Sequence, residues 1–131
     1  MGAIPQYPQL YNDTLPAGAD LSAKQFYFVK KSSSTYVLCD AATDIPAGAL
    51  QNKPVLGEPC EVVALGPTKL VADAALTEDW FIGPAADGQA DRKIPGTDTT
   101  EYVCGQVLEA AAAAGDIIAA FINCVTPHRA S

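Results

Sequence analysis

The chain has 131 residues and a formal net charge of −7, from eight Lys and Arg against fifteen Asp and Glu. That length suits one domain with a single core. The acidic charge argues against nucleic acid as a partner, because nucleic-acid binding needs a basic footprint.

No apolar run approaches the roughly 20 residues of a membrane-spanning helix, so no membrane association is expected. Met1-Gly2-Ala3-Ile4-Pro5 has neither a basic n-region nor an apolar h-region, so a secretory signal is not expected either. One histidine, His128, leaves general acid–base chemistry without a well-placed imidazole.

Residues 1–20 form an unusual opening. Pro5, Pro8 and Pro16 fix their own φ and push the residues before them toward extended conformations. Ile4, Tyr7, Leu10, Tyr11 and Leu15 are apolar without helical or strand periodicity. The segment reads as an extended arm whose side chains cover a partner surface, ahead of a single β domain over residues 21–131.

Across the chain ten glycines and ten prolines punctuate short runs of Val, Ile, Phe and Tyr, the pattern of an all-β fold. The first strand is expected at Ala23–Lys30, with Phe26 and Phe28 on one face and Tyr27 and Val29 on the other. Ser32–Ser34 turns the chain and Thr35–Cys39 returns as the hairpin partner. Pro46-Ala47-Gly48 repeats the turn device of Pro16-Ala17-Gly18, with Pro at the first central position and Gly able to take positive φ.

Further strands are expected at Glu61–Leu65, Lys69–Ala72, Trp80–Ile82, Glu101–Leu108 and Ile117–Val125. Ala85–Thr100 is polar and reads as a long loop holding at most a short hairpin, with Asp91-Arg92-Lys93 as a solvated charge group. The alanine run 109–114 is too short to nucleate an isolated helix and is read as a strand end turning at Gly115, with one helical turn as the alternative. The fold class is all-β: a small β-barrel or β-sandwich body with an extended N-terminal arm.

Chemistry-bearing patterns are sparse. Cys39, Cys60, Cys104 and Cys124 have no C-x₂₋₄-C spacing for zinc and no C-x-x-C redox pair. They read as reduced core residues, since nothing marks the chain for an oxidising compartment. The carboxylates fall mostly beside turns, and there is no calcium loop, nucleophile elbow or phosphate-binding loop. No cofactor, metal or catalytic residue is therefore expected. Trp80, the single tryptophan, reads as packing or as an interface anchor.

One stretch is more distinctive. Ile45-Pro46-Ala47-Gly48-Ala49-Leu50-Gln51-Asn52-Lys53-Pro54, then Gly57-Glu58 and Glu61–Gly66, resembles the core motif of tailed-phage capsid cement, or head-decoration, proteins. Ala17–Ser22 and Val103–Ala110 with Ala114–Ile118 resemble that family's opening and close, so the likeness runs in order over about residues 15–125. The long polar loop and four cysteines depart from it.

The resemblance implies a non-enzymatic protein that binds the major capsid protein on the outer capsid surface of a virion, as a homotrimer, after synthesis in the host cytoplasm. The contacts it suggests are the arm residues Ile4, Tyr7, Leu10, Tyr11 and Leu15, and on the body Trp80 with Leu50, Gln51, Asn52, Lys53 and Pro54. The alternative is a carbohydrate- or host-surface-binding β module using Tyr7, Tyr11, Tyr27 and Trp80.

Overall fold

The computed structural model describes residues 11–131, with side chains from residue 14 onward. Eleven strands are found among them: β1 Tyr11–Asp13, β2 Phe28–Ser32, β3 Thr35–Leu38, β4 Gly48–Leu50, β5 Val62–Val71, β6 Phe81–Pro84, β7 Ala90–Arg92, β8 Tyr102–Val103, β9 Gly105–Val107, β10 Ile117–Asn123 and β11 His128–Arg129. No helix occurs among the described residues, and hence none long and apolar enough to cross a membrane.

Nine strands join one sheet in the order β3-β2-β4-β5-β10-β9-β6-β7, with β1 added to β5. Every strand pairing is antiparallel; β8 and β11 form a separate two-stranded ribbon. The sheet rolls into a half-barrel. Its far edge curls back so that the Phe28 amide donates to the Gly88 carbonyl at 2.7 Å and Ala90 bridges Ala72, just past β5.

Burial follows from the two-residue strand period. Ile118, Ala120 and Ile122 of β10 point inward with Leu70, Ile82, Val107 and Phe28 to form the larger core. Val29, Tyr36, Leu50, Cys60 and Val62 make a second cluster beneath β2–β4.

Several expectations change. Ala23–Lys30 is not one strand: Phe26 has φ +69°, outside the strand region, so β2 begins at Phe28 and the alternation assumed through residue 26 is broken. The expected break at Gly66-Pro67 does not occur, and β5 runs ten residues through it. Glu101–Leu108 divides at Cys104 into β8 and β9. The alanine run is neither strand nor helix. Ala111 bridges Leu76, and the Asp116 carboxylate accepts the Ala112 and Ala113 amides, which ties the loop down.

The described end of the expected arm, residues 11–20, touches the domain. Tyr11–Asp13 pair with Leu65, Val63 and Val62 of β5, Pro16 bridges Pro59, and Ala17 is buried beside Leu21. Open amide and carbonyl groups along β5 and an apolar seat for Leu15 and Ala17 make docking on the body favourable. Tyr11–Asp13, Pro16 and Ala17 thus pack on the domain, while Ile4, Tyr7 and Leu10 lie outside the described residues.

The polar loop contains β7, hairpin-paired with β6, as the short hairpin expected there. Lys93 is not solvated. Its ammonium is fully buried, donating to the Pro84 carbonyl at 2.8 Å and to Asp91 and Glu101. A buried charge persists only with such partners, and here it pins the loop to β6 and to the start of β8. Gly83 makes room for this arrangement: a Cβ there would run into the Tyr102 carbonyl and crowd the Lys93 side chain.

Candidate docking surface

The body residues suggested by the cement-protein resemblance serve mainly as internal structure. Leu50 is fully buried and Pro54 is buried, so neither side chain has surface to offer. Gln51 donates from Nε2 to the Ala49 carbonyl and Thr68 Oγ1. Asn52 donates to the Pro59 carbonyl and accepts the Glu61 amide, clamping the chain after β4 to the start of β5. Lys53 alone of the five is exposed. The motif is a β4–β5 corner built from buried apolar groups and paired amides.

Trp80 is half-buried, and its ring is covered by the Arg92 guanidinium 3.7 Å from the centroid. Tyr27 is engaged elsewhere: Lys24 lies over its ring at 4.9 Å and Gln89 donates to its hydroxyl. The two aromatics thus pack against different partners, Trp80 under Arg92 and Tyr27 with Lys24 and Gln89. Tyr7 lies outside the described residues, as does the side chain of Tyr11.

The thiols are internal. All four cysteines are free and buried. Burial pushes the Cys39, Cys60 and Cys104 thiols up, and Cys104 is raised further by a hydrogen bond with Cys124. Among the described residues no group of three or more His, Cys, Asp or Glu side chains is placed to hold a metal ion.

What the fold exposes is an uncharged row across one sheet face, next to the Ala119–Lys69 pair. Phe81 of β6 and Phe121 of β10 both pair with Gln106 of β9, and Phe121 pairs in turn with Pro67 of β5. Cross-strand partners project to the same side, so Phe81, Gln106, Phe121 and Pro67 form one uncharged row across four strands. Phe81 and Phe121 are 44% and 40% exposed, and Ile117, further along the same face of β10, is 58% exposed.

The signal for this face lies within β10. Ile117–Ile122 is apolar at every position, whereas a strand with one watered face alternates. A second apolar hollow lies between the β3–β4 connection and the end of β10, where Ile45 and Val125 are more than half exposed.

No family model matches the chain, and no curated protein matches it. A solved structure, the N base of head fiber gp8.5 of bacteriophage phi29, is similar with a TM-score of 0.61 and 18% sequence identity, covering 87% of this chain and 94% of that one. At that identity the likeness is one of architecture. The chain shares its all-β fold with the base of a phage head fiber.

Proposed function

We propose that the protein is a non-enzymatic structural component of a phage virion that decorates the outer surface of the head. Its partner in this reading is the major capsid protein, and it is seated as a homotrimer. The observation that carries the proposal is the uncharged row Phe81–Gln106–Phe121–Pro67, open to solvent on a protein of net charge −7. Large apolar side chains held in solvent by a rigid sheet mark an interaction surface. Each contributes about 1.5–3 kcal/mol when fully covered.

The architecture shared with a head-fiber base supports the same reading, as does the cement-like order of motifs along the chain. Three copies acting together would turn modest single contacts into firm retention.

Co-sedimentation with heads lacking the protein tests this directly. Wild-type protein is expected to pellet with the heads in multiples of three copies per site. Phe81→Glu with Phe121→Glu is expected to weaken retention by about tenfold or more while the body stays folded, because both side chains are exposed. Absence of wild-type binding overturns the function, and full binding by the double variant overturns the face.

A further inference from the structure

We infer that the ribbon of β8 and β11, with the loop 94–101 that leads into it, is a lid that opens as one unit beside Phe81 and Phe121, and that the buried ion pair of Lys93 with Glu101 is its latch. As a control on the docking face the lid rests on the function proposed above, whereas the latch rests on hydrogen bonds within the chain.

Among the described residues, β8 and β11 pair only with each other and stand apart from the nine-stranded sheet. The backbone around them closes its hydrogen bonds inside the same unit. The Gly96 amide donates to the Ala130 carbonyl, the Ala130 amide to the Glu101 carbonyl, and the Glu101 amide to the Asp98 carbonyl. The Thr97 and Asp98 amides donate to the Ile94 carbonyl. Anchorage to the sheet resumes at the margins, where the Lys93 amide donates to the Phe81 carbonyl and the Cys104 amide to the Ile82 carbonyl. A segment that keeps its own hydrogen bonds on leaving the body opens at lower cost than a core strand.

Between those margins, among the described residues, one side-chain hydrogen bond crosses from the unit to the sheet side, from Lys93 Nζ to Glu101 Oε1. Lys93 Nζ carries three protons, and the Pro84 carbonyl of β6, Asp91 of β7 and Glu101 accept them. The ammonium has no exposed surface, so its charge is tolerated only while those partners stay. Glu101 is the one partner that comes from the lid. Without its charge, Asp91 at 3.3 Å is the remaining carboxylate partner, and that side chain is one-third exposed. Opening the lid then brings water to the stranded ammonium.

The lid also has something to uncover. A hollow of about 330 Å³ is lined by Phe81, Gln106 and Phe121 of the sheet and by Val103 and His128 of the ribbon. Moving the ribbon away widens an apolar seat at the end of the docking row.

Peptide-resolved hydrogen exchange of the full chain at neutral pH tests this without any capsid. In wild type, the amides of residues 94–103 and 127–131 are expected to exchange together, faster than those of β5 and β10. Glu101→Gln keeps the acceptor oxygen and removes the charge. It is expected to speed both segments by about tenfold or more and to leave β5 and β10 unchanged. Lys93→Met with Glu101→Gln removes the stranded charge and is expected to restore slow exchange. Anilinonaphthalene sulfonate, an apolar dye, should gain fluorescence with Glu101→Gln and lose that gain when Phe121→Glu is added. Unrelated rates in the two segments, or no gain in dye fluorescence, overturn the lid. Wild-type exchange in Glu101→Gln, equal acceleration of β5 and β10, or a double variant that stays fast overturns the latch. Failure of the wild-type chain to bind heads overturns the docking function and leaves the exchange result standing.

Discussion

Asp44 shows how one side chain holds a loop. Its carboxylate accepts from Lys30 Nζ at 2.9 Å and from the amides of Asp40 and Ala41. Partial burial pushes its pKa up, but the Lys30 hydrogen bond and the two amides outweigh that and leave it below the ordinary carboxylate value. A carboxyl group lowered in the folded state stabilises the fold above its unfolded pKa and loses that contribution as pH falls through the folded value. Lys30 is raised by hydrogen bonds to Asp40 and Asp44, so its share is complete below the ordinary lysine pKa and is lost in strong alkali. Asp44→Asn should therefore lower the melting temperature at neutral pH, with the gap to wild type closing as pH falls below the ordinary carboxylate range. Melting curves across that range measure it, and a gap that stays constant would mean that charge is not the cause.

Among the elements, the β2–β3 hairpin carries a local conflict. Ser32 and Thr35 pair, leaving Ser33 and Ser34 as a two-residue loop with φ of +51° and +64°. Positive φ at both positions is the primed turn that matches strand twist, and it favours Asn followed by Gly. Thr35 Oγ1 donates to the Ser32 carbonyl at 2.6 Å and helps hold the turn. Ser33→Asn with Ser34→Gly keeps that bond and removes the strain. It should stabilise the protein by about 1 kcal/mol, read as a higher urea midpoint at unchanged slope. Phe26 is the opposite case. Its left-handed backbone ends the turn before β2, letting its amide reach the Leu50 carbonyl and its own carbonyl take the Val71 amide. Tertiary hydrogen bonds on two sides hold a bulky residue where local preference would not put it.

For the whole molecule, the cysteines report on integrity. Cys39, Cys104 and Cys124 share the larger core and Cys60 sits in the smaller one. A thiol reacts as its thiolate, and burial disfavours that form. Folded protein at pH 8 should therefore leave Cys39, Cys60 and Cys104 unreactive on the timescale of minutes, while denatured protein without reductant should titrate close to four thiols. Finding none after denaturation would establish two disulfides. The same cores make the two outer features stand out, because the Phe81–Phe121 row and the Ile45–Val125 groove are apolar surface that the sheet cannot fold inward.

The all-β class, the Ser32–Ser34 turn and the Thr35 and Ile117 strands were legible in the sequence. Each depends on neighbours a few residues apart: glycine and proline punctuation, β-branched runs, two-residue periodicity. Lys93 was not legible. Beside Asp91 and Arg92 it reads as a solvated charge, and its burial depends on Glu101 and the Pro84 carbonyl, which arrive from other segments. The Leu50–Pro54 motif is visible in the sequence, yet the pairing of Leu50 with Val62 fixes its side chain in the core. The docking of residues 11–20 likewise required an open edge on β5, which exists once the sheet has formed. Local sequence chooses how each segment bends. Which side of a strand meets water is decided by the partners that arrive across the sheet, and the exposed row of β10 was settled at that level.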